Sequence, residues 1–316
     1  MNKNFQDILE KPHIFSELKG KSFCDKSIGN MSWLKAGGSA EYLYIPYDER
    51  DLTLILESMY SDIDLNIFGK LSNTLIRDGG LPGLSIIIPQ SFGGIASISD
   101  TKLMVGSGIS DKVISEKCLE LGIGGMEFLS GIPGSLGGGI IMNAGCFASE
   151  FKDIVLDVNF LTKSGKKIHK KNNEIDFFYR KSNISKDLII TSAIIQGFIK
   201  NPKQIKKLMD EINSKRISSQ PQGYSTGGST FRNTNNYKAW ELIKRSGMSD
   251  AFFGGAAVSN IHSNFLINTG NASASDFEAL GNMIIEKVNS EFGILLDWEI
   301  HIIGEYEYCL LYTSDA

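Results

Sequence analysis

The 316-residue sequence is poor in several things that would each have pointed to a function. Only four cysteines occur, Cys24, Cys118, Cys146 and Cys309, far apart and without a CxxC pair. That spacing excludes a disulfide framework and a zinc knuckle. The four histidines, His13, His169, His262 and His301, are equally dispersed, with no HExxH and no carboxylate at ligand spacing, so no metal site is expected. Lys and Arg total 32 against 36 Asp and Glu, a net charge of −4, so the basic field a phosphate-backbone binder needs is missing and no nucleic-acid partner is expected. No apolar run approaches the ~18 residues of a membrane span. The N-terminus MNKNFQDILEKPH carries acidic residues where a signal peptide would be apolar. The expectation is a cytoplasmic protein with no membrane partner, and a monomer by default.

Glycine, in contrast, is abundant: 33 residues, about a tenth of the chain against a usual ~7%. The chain reads as α+β. Residues 1–30 form a polar lead-in with a short helix around Phe5, Ile8 and Leu9, and ordered structure is expected from about Met31. A first subdomain, about 31–80, has a strand at EYLYIP, a helix with Leu52, Ile55, Leu56 and Met59 on one face, and a strand at LNIFG. A second, about 81–200, holds short apolar strands, a helix capped by Ser110 and ended by Gly122, and the strands DIVLDVNFLT and LIITSAIIQGFI around a solvated basic hairpin, KSGKKIHKK. Asn201-Pro202 marks a boundary. Residues 201–304 then form a third module with a helix from Ser275 to Gly293 and a last strand LLDWEIHII, in which Glu299 faces away from Trp298 and Ile300. Residues 305–316 form a tail without pattern.

Chemistry is concentrated in a few segments. GIPGSLGGGIIMNAG (131–145) has six glycines in fifteen positions. Missing Cβ atoms let backbone approach a ligand and aim N–H groups at an anion, as in a diphosphate cradle; the competing explanation is a crowded buried turn. It is neither GxGxxG after a strand nor GxxxxGK[ST], which disfavours a Rossmann site and a P-loop. STGGSTFRN (225–233) combines mobile backbone with Ser229, Thr230, Arg232 and Asn233. Arg180 follows the aromatic run Phe177-Phe178-Tyr179, where a guanidinium needs an anion, internal or bound. Glu299 is a mid-strand carboxylate, a candidate acid or anion-site residue or else part of a solvated strand face.

Taken in order, WLKAGG (33–38), FGKLSNTLIRDGG (68–80), the segment 131–145, YRKS (179–182), TGGSTFRN (226–233), AWELI (239–243), VSNIHSNF (258–265) and WEIHIIG (298–304) resemble the UDP-N-acetylenolpyruvoylglucosamine reductase family, from about Met31 to Gly304. The resemblance implies a vanillyl-alcohol-oxidase-type (PCMH-type) FAD-binding domain of two subdomains, 31–200, followed by a substrate-binding domain, 201–304. It implies non-covalent FAD, NADPH as reductant, and the enolpyruvyl ether of UDP-N-acetylglucosamine as substrate, reduced to UDP-N-acetylmuramate for peptidoglycan. Catalytic roles would fall to Arg180, Ser229 as proton donor, and Glu299. Cofactor contacts would come from Gly69, Ser72, Asn73, Gly131, Ile132, Gly134, Ser135, Gly137, Gly138 and Asn143, and substrate contacts from Gln220, Gly228, Arg232, Asn233, His262 and Asn264.

The chain departs from the family pattern at Leu71, where glycine often precedes Ser-Asn, and at Ala36, Arg232 and Thr234. Only about forty residues separate Arg180 from Gln220, which implies the shorter type II subclass. The alternatives are another FAD oxidase of this fold or a non-catalytic nucleotide-sugar binder. The oxidases often tether flavin through His or Cys, and Gly37-Gly38-Ser39 offers neither.

Overall fold

The computed structural model describes residues 3–307 apart from 235; Cys309 and most of the expected tail lie outside the described residues. The chain forms two compact units, each assembled from separate stretches. The first takes the chain up to Cys24, Tyr42–Leu71 and Gly83–Ser219; the second takes Asp25–Glu41, Ser72–Pro82 and everything from Gln220 onward.

Within the first unit, the apolar stripe read from the sequence makes the helix Glu49–Ser58, capped by Asp48. It buries Leu52, Ile55 and Leu56 against Tyr42, Tyr44, Leu84 and Ile86. The sheet concerned runs Lys21–Ser27, Ser39–Ile45, Leu81–Ile87, Leu65–Phe68, with the last pair parallel. Order therefore begins well before Met31. Phe5, Ile8 and Leu9, in and beside a short 3-10 turn, are buried in the same core, because a small sheet with one helix leaves apolar surface that the lead-in covers.

A second, five-stranded antiparallel sheet has the order Lys167–Lys171, Val155–Thr162, Leu188–Gln196, Lys102–Gly106, Ile95–Ser99. The basic segment is a hairpin onto this sheet, as expected. Ser110 caps the helix Asp111–Leu121, and Gly122 ends it in the left-handed conformation at φ 68°. The helix Pro202–Ser219 starts where proline predicts, yet it belongs to this unit, since Ile205, Met209 and Ile212 are buried and Arg216 donates to the Gly131 carbonyl at 3.0 Å. The compact units thus part after Ser219, not at Asn201.

The second unit has an antiparallel sheet in the order Ser225–Ser229, Phe265–Asn268, Ala256–Val258, Phe252–Phe253. The helix Ala274–Phe292 buries Phe277, Leu280, Ile284 and Val288 in a core shared with Leu34, Leu242 and Leu296. Its cap is Ser273, two residues before the expected start, and Asp78 accepts from the Ala274 and Ser275 amides at 2.8 Å each. The last strand is shorter than its alternation predicts. Among the described residues it is a strand only over His301–Ile303, parallel to Thr74–Ile76, with an isolated bridge from Trp298 to Phe231, while Leu296 and Ile300 still point inward.

Candidate active site

In the first unit the glycine-rich segment is laced to the turn that follows the strand Lys102–Gly106. Gly137 N donates to Ser107 O and Leu136 N to Ile109 O, both at 2.9 Å, and Ser110 bridges to Ser135. Several of its glycines relieve crowding. A Cβ at Gly139 would overlap the Phe151 ring, one at Gly131 would press on Ile212, and one at Gly145 would meet the Ser149 carbonyl. Gly138 is different: it is exposed, and a Cβ there would meet nothing closer than Ser135 Oγ at 3.8 Å. Around the same loop three buried side chains, those of Ser107, Asp111 and Ser135, have polar atoms with no hydrogen-bond partner among the described residues. Gly69 lies so close to Ser135 Oγ that a Cβ would overlap it. A backbone cradle ringed by unspent polar atoms suits an anionic cofactor group such as a diphosphate, so these residues fit one.

Leu71 adopts φ 52° at 6% exposure. The left-handed geometry explains why glycine is common at that position of the family pattern, and burial of the leucine side chain offsets the strain here.

Arg180 sits in the two-residue loop of the hairpin Phe177–Phe178/Lys181–Ser182 at φ 55°. Its guanidinium donates to the Gly145 carbonyl at 2.7 Å and lies over the Tyr179 ring. The hairpin is fastened to the glycine-rich segment twice. Ser182 Oγ donates to Ile141 O, and Asn143, left-handed at φ 39°, donates from Nδ2 to Phe178 O and to Glu150 while accepting from Lys152 N. Asn143 therefore spends its amide holding the arginine loop. Arg216, which sequence reasoning missed inside a basic helix, also approaches this segment. Burial pushes the Cys146 thiol up to about 11, against the opposing fields of Arg180 and Arg216. Cys146 is thus a thiol that donates to Phe128 O, at 3.2 Å.

In the second unit Ser229 ends its strand opposite Phe265, after an irregularity at Gly227-Gly228, with Gly228 at φ 84° and open space around it. Thr230 then couples two segments: its N donates to Asn264 O, and its O accepts from Glu299 N, both at 2.8 Å. Arg232 N donates to Asp297 O at 2.9 Å, and Phe231 bridges to Trp298. This short ladder sets Ser229 and Glu299 on neighbouring segments: Glu299 supplies the N–H of one bond, and Ser229 is the residue before its acceptor, Thr230. Asn73 fixes the glutamate's backbone by donating to Glu299 O at 2.9 Å and accepting from His301 N at 3.0 Å.

The predicted substrate residues divide by how their polar atoms are used. Asn264, 4% exposed, is a clamp that accepts from Phe231 N and donates to Phe231 O. Asn233 caps the helix Ala239–Arg245 by accepting from Ala239 N. His262 accepts the Asn264 amide at Nδ1 and packs against Phe265, and burial lowers its pKa, so it is neutral at pH 7. Arg232 keeps a buried Nε with no partner among the described residues, a donor suited to an anion, and Gly228 leaves room beside Ser229. Gln220 begins the last stretch of the second unit. Arg180 belongs to the first unit, and Ser229 and Glu299 to the second.

Residues 220–303 match the C-terminal domain of UDP-N-acetylenolpyruvoylglucosamine reductase, and residues 40–170 match an FAD binding domain. The chain is 40% identical over 301 residues to the UDP-N-acetylenolpyruvoylglucosamine reductase of Orientia tsutsugamushi (strain Ikeda), covering 94% of this chain and 98% of that protein. It is 42% identical over 289 residues to the protein of that name from Rickettsia prowazekii (strain Madrid E), covering 92% and 98%. The crystal structure of the Thermus caldophilus reductase superposes with a TM-score of 0.76 at 25% identity, covering 90% of this chain and 99% of that one.

Proposed function

The chain belongs to the UDP-N-acetylenolpyruvoylglucosamine reductase family, a family of flavin oxidoreductases, and we propose that it reduces the enolpyruvyl ether of UDP-N-acetylglucosamine to UDP-N-acetylmuramate with NADPH, in the cytoplasm. The observation that carries this reading is the Thr230–Glu299 ladder, which sets a hydroxyl and a carboxyl on adjacent segments beside the open Gly228.

FAD would be held without a covalent bond by Gly69, Ser72 and the loop Gly131–Gly138, and when bound it would supply hydride chemistry between nicotinamide and the methylene carbon of the enolpyruvyl group. The chain's own residues manage charge and protons. Arg180 presents a planar fork to the substrate carboxylate, where negative charge grows in the transition state. Glu299 takes part as the protonated acid or as the partner of a cation, since a bare carboxylate would repel the carboxylate of the substrate. Ser229 delivers its hydroxyl proton to the carbon next to the one that gains hydride; an enolate carbon is basic enough to accept it from an alcohol. Arg232, with its unspent Nε, is a binding group for an anionic part of the nucleotide sugar.

An anaerobic absorbance series tests the reading. Flavin bands should bleach with NADPH and return on adding the enolpyruvyl UDP-sugar. Ser229→Ala should keep FAD and bleach normally while product formation collapses. Wild-type turnover in that variant would refute the serine's role, and reoxidation by oxygen alone, with no response to the sugar, would make the protein an oxidase.

A further inference from the structure

Asp111 is the first residue of the helix Asp111–Leu121, and its side chain is not solvated. It is 0% exposed, and neither carboxyl oxygen has a hydrogen-bond partner among the described residues. A helix-opening aspartate usually faces water or caps amides; here Ser110 does the capping and Asp111 points under the glycine-rich loop. A Cβ built on Gly134 would come within 2.5 Å of Asp111 Oδ2, so this loop can pass over the carboxyl only because position 134 lacks a side chain. The backbone closes the same contact from the other side, with Asp111 N directed at Gly134 O at 3.3 Å. Ser135 and Ser107, whose buried hydroxyls also have no partner among the described residues, flank the loop.

An ionised carboxylate in this place would be buried, unpaired and directly behind a loop suited to an anion, and each of those conditions is unfavourable. The neutral acid carries no charge for these conditions to penalise, and it gains a donor. From the neighbouring segments the charged group whose field reaches Asp111 is Lys70, which favours ionisation; burial acts the other way and is the larger influence, so the carboxyl titrates well above its ordinary range.

We propose that Asp111 is a proton-carrying positioning residue: its un-ionised carboxyl supports the Gly134 turn from behind, and the loop accepts the diphosphate of FAD only while that proton is present. The inference rests on the diphosphate placement proposed above. Its consequence is linkage. Loss of the proton should weaken FAD binding by up to about tenfold per pH unit once pH exceeds the pKa of Asp111 in the FAD-free protein.

The test measures FAD affinity of the FAD-free full-length protein by flavin fluorescence from about pH 6 to about pH 9, for wild type and Asp111→Asn. The amide is nearly isosteric and never charges, so Asp111→Asn should bind FAD within about threefold of wild type at the low end and stay flat while wild type weakens. Identical pH profiles would overturn the proposal, as would an Asp111→Asn variant weakened equally at every pH, which would mean that the carboxylate itself is needed. A measurement that needs only folded wild type is the infrared carbonyl band of an un-ionised carboxylic acid at neutral pH; its absence would also overturn the proposal. Gly138→Asp separates this from the underlying placement. It adds a negative charge to the exposed side of the loop and should reduce FAD affinity at all pH values; unchanged affinity would remove the diphosphate from this loop, whatever Asp111 does.

Discussion

The two glycine-rich segments invite comparison because they look alike as strings and behave differently as structures. In 131–145 most glycines admit another part of the chain, such as the Phe151 ring at Gly139, and the polar side chains around the loop are left unspent. In 225–233 Gly228 faces open space, and the polar side chains nearby are mostly committed: Asn264 to Phe231, Asn233 to Ala239, Asn73 to Glu299. Under the proposed function, the first region would recognise by backbone and buried donors, and the second would hold a few reactive side chains still by using up their neighbours. A region that binds a large rigid cofactor benefits from shape, whereas a region that moves one proton benefits from a fixed hydroxyl and an excluded alternative.

Arg180 is the test of how sharp that division is, since the proposed function gives a catalytic role to this side chain of the first unit. Arg180→Lys should lower kcat by about 10²–10³ with FAD content unchanged, because a point charge cannot reproduce the bidentate fork. Equal kcat would confine the chemistry to the second unit. The glycines themselves give a paired experiment. Gly139→Ala drives a methyl into the Phe151 ring, which is fully buried, and should cost about 1–3 kcal/mol in urea unfolding. Gly228→Ala meets no atoms and pays only for its left-handed backbone, about 1–2 kcal/mol. If Gly228→Ala proves the more damaging to stability, the contrast between the segments is wrong.

The smallest effect expected is a pH dependence in the second unit. Burial lowers the pKa of His262 below its ordinary 6.5, so the unfolded chain binds its proton first as pH falls. The stabilising contribution is complete above about 6.5 and is lost below it. Unfolding by urea at about pH 5.5 and about pH 7.5 should show wild type losing more stability on acidification than His262→Gln. An equal loss would mean that His262 is as exposed to protons folded as unfolded.

Much of this molecule is legible from composition and pattern. The helix at Leu52, Ile55 and Leu56, the Ser110 and Gly122 caps, the basic hairpin and the inward stripe of Ala274–Phe292 follow from local rules, because a 3.6-residue period, a cap and a turn are decided by neighbours in sequence. The motif string with Arg180, Ser229 and Glu299 was equally readable. The helix Pro202–Ser219 starts where proline says but packs with the first unit, since packing depends on which apolar faces remain uncovered. The strand LLDWEIHII keeps its alternation over more residues than it pairs, because pairing needs a partner that only the fold supplies.

What the sequence by itself determined, then, is the family and the residues able to do its chemistry, since both are carried by residue types in order. Only the tertiary structure decided how they are used: that Asn143 and Asn264 are clamps, that Asn73 holds the backbone of Glu299, that Arg216 reaches Gly131, and that Asp111, unremarkable at the start of a helix, lies buried without a partner behind Gly134. The physical reason is that hydrogen-bond satisfaction and desolvation belong to a place in three dimensions, set by residues far away in the chain.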